Sequence, residues 1–389
     1  MRALTVSLLV ALATAPFSAW AQTAPPVSKG PKNAPFQQPS FQHQTRAPGA
    51  DKVPTLDITT VATNLPRLWA MEFLPDGHML VTTKAGALHI VDRSGGVGPA
   101  IDGVPQVDAR GQGGLLDVAL SPDFGRTGII LFSYAEPRGG GANGTSVARA
   151  TLRRTADGGG TLRDLTIIFR QTPAYRGTKH FGSRLAFAPD GTLFITTGER
   201  SDSRVRGEAQ NLNSGLGKVM RINPDGSVPA DNPFVGQAGV QPQIWSYGHR
   251  NPQSAVVTAA GDLWTVEHGP RGGDELNRPK AGLNYGWPVI TRGVNYSGSR
   301  VGDGLVEAPG MEQPIYYWDP VIAPSGMDEY TSNAIEEWQG ALLVGGLVAG
   351  GLVVLHLEGD RVIAEERVPL RARIRDVRVG PDGAVYALT

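Results

Sequence analysis

A repeated turn signature constrains the fold of this chain more than any other feature. An apolar segment, a Pro-Asp-Gly or similar turn and a second alternating segment recur in EFLPDGHMLVTTKAGALHIV from Glu72, AFAPDGTLFITTGE from Ala186, VTAAGDLWTVEHG from Val257 and VRVGPDGAVYALT at the C-terminal end. Partial copies begin at Ala119 and Glu337. Proline sets φ for the turn, aspartate accepts hydrogen bonds from the turn backbone, and glycine takes the left-handed position. Each copy therefore predicts an antiparallel β-hairpin.

The copies recur at irregular spacing, within the range of a four-stranded propeller blade with insertions. We therefore predict an all-β fold, a six-bladed β-propeller with four-stranded antiparallel blades, over residues 55–389. A pair of β-sandwiches is the structural alternative, but two sandwiches would not repeat one hairpin signature from Glu72 to the last residue. The segment Leu56–Val61 is a candidate for a strand that closes the ring.

The composition agrees with a fold made of short strands and excludes some partners. The chain has 51 Gly and 30 Pro, a load that favours many turns over long helices. Its Lys and Arg residues number 36, as do its Asp and Glu residues. A nucleic-acid-binding protein normally has a basic surplus or a basic stripe, so we expect no nucleic-acid partner.

The N-terminal residues predict export. Arg2 precedes an apolar stretch, Ala3 to Ala15, and an Ala-Trp-Ala site ends at Ala21, which is the pattern of a cleaved signal peptide over residues 1–21. A membrane anchor is the alternative, but the apolar stretch is too short to span a bilayer, and no later segment reaches spanning length. We expect a periplasmic protein. Residues 22–54, rich in Pro, Gln, Ser and Ala, predict a flexible lead-in.

The loop from Glu267 to Pro288, EHGPRGGDELNRPKAGLNYGWP, is a candidate metal site. Calcium prefers carboxylate, amide and backbone carbonyl oxygens, and glycines allow carbonyls to turn inward. The loop supplies side-chain oxygens from Glu267, Asp274, Glu275, Asn277 and Asn284. It lacks the spacing of an EF-hand, and a polar surface loop with several turns is the equally weighted alternative.

Two further segments offer candidate catalytic groups. His180 in GTKHFGSRLAF precedes a strand, where a neutral imidazole could act as a general base, although a lone histidine is more often structural. Arg250 and Asn251 in IWSYGHRNPQ could hold a ring carbonyl or a carboxylate and stabilise negative charge as it develops. An ordinary salt bridge that caps a blade is the alternative for Arg250.

Gln112 and two arginines complete the candidates. Glycines flank Gln112 in ARGQGGLLDVALSPDF, so its amide could approach a ligand closely or stabilise a turn. Arg373 and Arg375 in LRARIRDVRVGPDG lie on one face of a strand. Paired guanidinium groups suit an anionic cofactor, although a solvated cationic face is the commoner explanation.

The joint order of these motifs is more specific than any one of them. QGGLLD, HFG, YGHRNPQ, EHGPRGGDE, NYGWP and RIRDV follow one another along the chain. In this order they resemble the soluble pyrroloquinoline-quinone-dependent sugar dehydrogenases, the glucose/sorbosone dehydrogenase family, and within it the aldose sugar dehydrogenases. The resemblance covers roughly residues 56–389. It implies a six-bladed propeller that binds pyrroloquinoline quinone (PQQ) and calcium and oxidises the C1 hydroxyl of aldoses to lactones.

The resemblance also assigns roles to residues. It implies that His180 is the base that takes the proton of the anomeric hydroxyl and that Arg250 bonds the quinone oxygen that gains charge. The other cofactor-binding positions that it implies are Gln112, Asn251, Tyr296, Ala323, Arg373 and Arg375. It implies that the carbonyls of Gly269 and Pro270 bind the calcium at the cofactor, and that Glu275 and the carbonyl of Tyr285 bind a structural calcium. Electrons would leave to an external acceptor, which the sequence does not identify.

Two positions depart from the family pattern. Relatives place a basic residue where this chain has Val348, so a charge-assisted contact worth about 1.5–3 kcal/mol to a cofactor carboxylate is absent. Lys179 replaces an Asp or Asn of some relatives, and its charge is expected to lower the pKa of His180. The first departure supports one alternative function, a non-catalytic propeller that binds a sugar or a protein. A calcium-dependent lactonase is a second alternative, but it requires a central cage of carboxylates.

Overall fold

The computed structural model describes residues 24–389 of the chain. The predicted signal peptide, residues 1–21, lies outside the described residues. Within them, no helix is long and apolar enough to cross a membrane.

The described chain forms antiparallel sheets arranged around one axis. The first sheet has three strands, β1 (Leu68–Phe73), β2 (Met79–Thr83) and β3 (Leu88–Val91). The second has β4 (Leu115–Leu120), β5 (Ile129–Pro137), β6 (Asn143–Arg154) and β7 (Gly160–Arg170). The third has β8 (Gly182–Phe187), β9 (Leu193–Thr197), β10 (Lys218–Ile222) and β11 (Ile244–Tyr247).

The second half of the chain continues the series. The fourth sheet has β12 (Pro252–Val257), β13 (Leu263–Glu267), β14 (Asp274–Asn277) and β15 (Tyr316–Trp318). The fifth has β16 (Pro324–Glu329), β17 (Leu342–Gly346), β18 (Gly351–Glu358) and β19 (Arg361–Pro369), and the last has β20 (Asp376–Val379) and β21 (Val385–Leu388). Within residues 24–389, helical structure is limited to short turns at Phe124–Thr127, Arg206–Gln210 and Glu336–Trp338.

The first strands of the sheets contact one another in turn, β1 with β4, β4 with β8, β8 with β12, β12 with β16 and β16 with β20, and β20 returns to β1. This ring of inner strands is the arrangement of a β-propeller. The all-β propeller class is therefore confirmed. The order of the ring places the loops of all sheets around one channel.

The prediction of six four-stranded blades is wrong. Four sheets have four strands, whereas the first has three and the last has two. After β3 the chain turns at Asp92, and Asp102 pairs with the outer strand β7 of the neighbouring sheet, where its N–H donates to Gly160 O at 2.9 Å. The residues available for a fourth strand of the first sheet are thus used elsewhere. The segment proposed to close the ring, Leu56–Val61, forms no strand, although Leu56 packs against the apolar cluster of the last two sheets.

The Pro-Asp-Gly turns lie where the sequence predicts them. They join β1 to β2, β8 to β9 and β20 to β21, and the related turn at Gly261 joins β12 to β13. In the first turn Leu74 N donates to His78 O at 2.8 Å, and Gly77 has φ of 80°. Only glycine adopts that conformation without strain. The repeated signature therefore marks the hairpin of the two inner strands.

The hydrophobic core is divided into layers between neighbouring sheets. One cluster joins the first and second sheets, a second joins the second and third, and others join the fourth with the fifth and the fifth with the last. Strands β2, β9, β13 and β17 are buried along their whole length, because each has a neighbouring sheet on both faces. The sheets are consequently held rigidly around the channel.

Buried ion pairs connect the inner strands across the channel axis. Arg184 on β8 contacts Asp117 on β4 at 2.9 Å and Asp376 on β20 at 3.0 Å. Asp117 also accepts a hydrogen bond from Leu185 N at 2.7 Å, and Asp376 accepts one from Met71 N on β1 at 3.0 Å. Asp117 thus links β4 to β8, and Asp376 links β20 to both β8 and β1. The bond to Met71 joins the last sheet to the first.

Much of the predicted lead-in is packed on the propeller. Both oxygens of Asp319 accept backbone hydrogen bonds, from Asn33 N at 2.6 Å and from Ala34 N at 3.0 Å. Ala47 N donates to the Tyr316 hydroxyl at 2.9 Å, and Ala34 and Ala47 are fully buried. The expectation of a flexible segment over residues 22–54 therefore does not describe this part of it. The segment is held without an apolar period, because its N–H groups donate to side chains of the propeller and its carbonyls accept from backbone N–H groups, from Tyr317 N to Gln44 O at 2.8 Å and from Glu365 N to Pro48 O at 2.9 Å.

Candidate active site

One cavity of about 550 Å³ collects residues from every sheet of the ring. It opens at the ends of the inner strands, where the predicted site residues also lie. Its lining includes Trp69, Lys84, Gln112, Gly182, Gln253, His268, Ala323, Leu347, Arg373 and Arg375. A wider surface groove of about 720 Å³ beside Phe169 and Gln241 contains none of the predicted site residues. The central cavity is therefore the candidate active site.

The cavity lining is strongly cationic. Arg67, Lys84, Arg373 and Arg375 all line it, and no aspartate or glutamate does. Within residues 24–389, none of these four side chains forms an ion pair with a carboxylate. Burial lowers the pKa of Arg375 to about 10, with the charges of Arg184 and Arg373 acting in the same direction. Uncompensated cations that converge on one cavity indicate an anionic ligand.

His180 has the environment of a general base. Its ring Nδ1 lies 2.5 Å from Glu199 Oε1, and its backbone N–H donates to Gln112 Oε1 at 2.7 Å. Because the carboxylate accepts the proton on Nδ1, the other ring nitrogen is left as the acceptor. His180 is 5% exposed, and its neighbours Phe181 and Gly182 line the cavity.

The backbone at this position is strained, which is common at functional sites. His180 has φ of 48°, in the left-handed region that residues with a side chain rarely adopt. Ala323, across the cavity, has φ of 50°, and its N–H donates to Asp274 Oδ2 at 2.7 Å. Fixed hydrogen bonds thus hold both residues in place at the cavity.

Burial and nearby cations keep the imidazole neutral. Burial lowers the pKa of His180 well below its usual value, and Arg250, Lys179 and Arg200 add to the effect. The predicted influence of Lys179 is therefore present. Burial also raises the pKa of the partner carboxyl, Glu199, to about 7. A base that is neutral at working pH and has an oriented ring is chemically competent.

Arg250 and Asn251 lie beside the base but are held by different partners. Arg250 Nη1 donates to the carbonyls of His268 at 2.9 Å and Gly269 at 2.6 Å, and its guanidinium lies 5.0 Å from the ring centre of Trp287. Its Nε–H is buried without a partner. Asn251 Oδ1 accepts from Gly182 N at 3.2 Å. Arg250 thus has one buried donor, its Nε–H, that no group within residues 24–389 satisfies.

The acidic loop contains a buried cluster of oxygen donors. Asn277 Nδ2 donates to Glu267 at 3.0 Å and to Glu275 at 3.1 Å, while Asn277 Oδ1 is buried without a partner. Burial and the charge of Glu267 raise the pKa of Glu275 to about 8. A cation would relieve both the repulsion and the unpaired oxygen, so this cluster fits the predicted structural calcium. Tyr285, the other predicted ligand, stacks its ring on His249 at 4.7 Å between ring centres.

The predicted calcium position at the cofactor is less simple. The Gly269 carbonyl already accepts a hydrogen bond from the Arg250 guanidinium, and Pro270 beside it is buried. A divalent cation at the same carbonyl would be repelled by that guanidinium. Across residues 24–389, no group of three or more His, Asp or Glu side chains is arranged to hold a metal, so the cluster in the acidic loop offers two carboxylates, Glu267 and Glu275, beside the amide of Asn277. The residues as placed do not fit this calcium, and no chemical step is assigned to it below.

Four of the seven predicted cofactor residues line the cavity, whereas Arg250, Asn251 and Tyr296 do not. Gln112, Ala323, Arg373 and Arg375 line it directly. Tyr296 is 74% exposed and lies outside the lining. Val348 is 61% exposed, next to the lining residue Leu347. The departure at Val348 thus lies at the rim.

The sequence did not reveal several residues of the site. Glu199 follows β9, nineteen residues after its histidine partner, and the motif TTGER that contains it carries no recognisable catalytic pattern. Lys84 lies in the TTKAG turn after β2, and Trp69 lies on β1. Their only sequence signal is position, because each lies at the same end of an inner hairpin as the residues that were found.

Comparisons with known proteins identify the family of this chain. Residues 65–389 match the family model Glucose / Sorbosone dehydrogenase. The chain is 42% identical to Aldose sugar dehydrogenase YliI of Escherichia coli over 340 residues, covering 86% of this chain and 90% of the relative. It is 28% identical to Quinoprotein glucose dehydrogenase B of Acinetobacter calcoaceticus, covering 87% and 86% of the two chains.

Solved structures show the same likeness. The apo-form of the Escherichia coli aldose sugar dehydrogenase has a TM-score of 0.81 at 42% identity, covering 86% of this chain and 96% of that one. A PQQ-bound aldose sugar dehydrogenase from Streptomyces coelicolor has a TM-score of 0.69 at 31% identity, covering 82% and 87%. The resemblance drawn from the motifs is confirmed. The chain belongs to the glucose/sorbosone dehydrogenase family and is an oxidoreductase of the aldose sugar dehydrogenase type.

Proposed function

We propose that this protein is a periplasmic, PQQ-dependent dehydrogenase, stabilised by a structural calcium, that oxidises the C1 hydroxyl of aldose sugars to lactones. One observation carries the proposal: a neutral, carboxylate-oriented His180 directly precedes Phe181 and Gly182 of a cavity whose four lining cations form no ion pair within residues 24–389. PQQ is a planar tricarboxylate, and such a ligand would compensate Arg67, Lys84, Arg373 and Arg375. The residues present therefore fit the cofactor.

The quinone, when bound, supplies an acceptor for two electrons. Oxidation of the sugar removes a proton from its anomeric hydroxyl and a hydride from C1. His180 takes the proton on its free ring nitrogen, while Glu199 holds the Nδ1–H and stabilises the imidazolium that forms. Arg250, through its free Nε–H, donates to an oxygen that gains negative charge. The electrons then pass to an external acceptor.

The remaining residues bind and orient. Arg373 and Arg375 pair with the carboxylates of the cofactor, and Gln112 and Asn251 orient it beside the base. Gln112 is well suited to this role because its Oε1 already fixes the backbone of His180. Glu275, with the buried oxygens around it, holds a structural calcium that stabilises the loop. Export through the N-terminal residues would place the enzyme in the periplasm.

The alternatives receive less support from the cavity. A lactonase of propeller form needs a cage of carboxylates, and no aspartate or glutamate of residues 24–389 lines the cavity. The non-catalytic alternative depended on the missing basic residue at Val348. Arg67 and Lys84 supply positive charge to the same cavity, so that absence does not leave the cavity short of cations.

The test is reconstitution of the purified apoprotein. PQQ and calcium are added, and dye reduction is followed with a panel of aldoses. We expect turnover with the wild type, and a His180→Ala variant that binds PQQ normally but is inactive. Absence of both activity and any cofactor-induced absorbance change in the wild type would exclude the proposal. A variant that stays fast would show that His180 is not the base.

A further inference from the structure

We infer that Lys84 is a cationic anchor for a carboxylate of the quinone cofactor. The inference rests on the proposed function, since it concerns how that cofactor is held. The resemblance to the family assigns no role to Lys84, and the loss of a basic residue at Val348 poses the question of what replaces it.

The position of Lys84 is set by the turn that follows β2. Its backbone N–H donates to Arg67 O at 2.9 Å, and its ammonium donates to the Ala109 carbonyl. Gly114 of the QGG motif makes room for it, because a Cβ there would lie 2.1 Å from Lys84 O and 2.9 Å from Lys84 Cγ. Gly114 also has φ of 140°. These contacts fix the conformation of the Lys84 side chain along the cavity wall.

The charge of Lys84 is not neutralised within residues 24–389, where it forms no ion pair with a carboxylate. Burial lowers its pKa, and the neighbouring Arg67 adds to this effect, whereas Asp108 opposes it. An ammonium group has three donors, and the Ala109 carbonyl uses one of them. The remaining donors are free to bond an anion in the cavity.

The cations are grouped on one side of the ring. Arg373 and Arg375 precede β20 in the last sheet, and Arg67 and Lys84 belong to the first sheet, which contacts the last through β1 and β20. His180 lies on the far side, before β8 of the third sheet. A ligand with carboxylates at one end would therefore turn its other end towards the base. Lys84 extends the cationic group on the side away from Val348.

The experiment measures cofactor affinity rather than turnover. Purified apoprotein is titrated with PQQ in calcium buffer, and quenching of tryptophan fluorescence, to which Trp69 in the cavity contributes, gives the Kd. We expect Lys84→Met to raise the Kd between about tenfold and about a hundredfold, the range for loss of a charge-assisted hydrogen bond. Lys84→Arg, which keeps the charge, should stay within about threefold of the wild type.

A matched control removes the same charge elsewhere. Lys52 is exposed and outside the cavity, so Lys52→Met should leave the Kd unchanged. The dependence of Kd on salt concentration should weaken in Lys84→Met and not in Lys52→Met, since screening acts on the lost pair. The apoprotein of Lys84→Met should unfold close to the wild-type temperature, because the lost ammonium is desolvated and repelled by Arg67. A purely structural Lys84 would instead change the unfolding temperature and leave the salt dependence intact.

The outcomes separate the two proposals. If the wild type binds PQQ and Lys84→Met binds it equally well, Lys84 is not an anchor, while the proposed function stands. If the wild type itself does not bind PQQ, the proposed function fails and this inference fails with it. Should Lys84→Met be unstable, Lys84→Gln, which retains a donor for Ala109 without the charge, decides by the same Kd comparison.

Discussion

Replacing Glu199 by glutamine should slow the enzyme severely without weakening cofactor binding. Glu199 Oε1 accepts from His180 Nδ1 at 2.5 Å and from Ser201 N at 3.0 Å. In Glu199→Gln the amide oxygen can take the same position and keep both hydrogen bonds, so the histidine tautomer is preserved. The substitution therefore removes the negative charge and little else.

The magnitude follows from the burial of the pair. The side chains of His180 and Glu199 are 6% and 1% exposed, so solvent screens their interaction little. Two unit charges about 4 Å apart interact by roughly 4 kcal/mol at an effective dielectric constant near 20. The imidazolium exists only once the base has taken the proton, so this energy is gained towards the transition state. If half to all of it is lost, kcat falls between about thirtyfold and about a thousandfold.

The assay is steady-state dye reduction at pH 8 with saturating PQQ, together with a PQQ titration of the apoprotein. We expect kcat to fall while the Kd for PQQ stays within about threefold of the wild type, because Glu199 does not line the cavity. Glu337→Gln removes an exposed carboxylate that does not line the cavity and serves as the control. A Glu199→Gln enzyme that keeps more than half of the wild-type kcat would refute the assigned role.

Three further results are expected. Wild-type kcat should rise with pH through about 7, because the Glu199 carboxyl has a pKa of about 7 and its proton blocks the base; a pH profile checks this, and the step should be missing in Glu199→Gln. Arg184→Met should lower the free energy of unfolding by about 3–5 kcal/mol in a urea titration, because Asp117 and Asp376 lose their shared cation; a midpoint equal to that of the wild type would contradict the importance of this network. Calcium at about a hundred times its Kd should stabilise the wild type by about 2.7 kcal/mol and raise its melting temperature, and Glu275→Gln should abolish this shift; an equal shift in both proteins would place the ion elsewhere.

The inner hairpins could be predicted because their signal is local. Pro75, Asp76 and Gly77 determine a turn through their own backbone preferences, whatever the rest of the chain does. The number of strands in each sheet is decided by tertiary pairing. Asp102 could have continued the first sheet, but it pairs with β7 of the second sheet. No sequence pattern around Asp102 predicts which of the two sheets it joins.

In the site, too, residues with a local sequence signal could be predicted, and residues placed by tertiary pairing could not. His180, Arg250 and Arg375 were found because they belong to ordered motifs of a known family. Glu199 was not found, because its pairing with His180 is made by the packing of the β9 end against the loop before β8. Its sequence neighbourhood contains no pattern for such a pair. Residues that act through a partner are visible only once the fold brings the two together.

The hydrogen bond from Met71 N to Asp376 has a consequence for how the molecule assembles. The two residues are 305 positions apart in the sequence, so the ring is closed by contacts between the first and the last sheet. Contacts of such sequence separation form late and slowly, because the entropy of closing the intervening loop opposes them until the rest is in place. The cations of the cavity lie on both sides of this closure, Arg67 and Lys84 in the first sheet and Arg373 and Arg375 beside the last. The anion site is therefore completed only when the first and last sheets come together, and an anion bound between them would stabilise the closed ring.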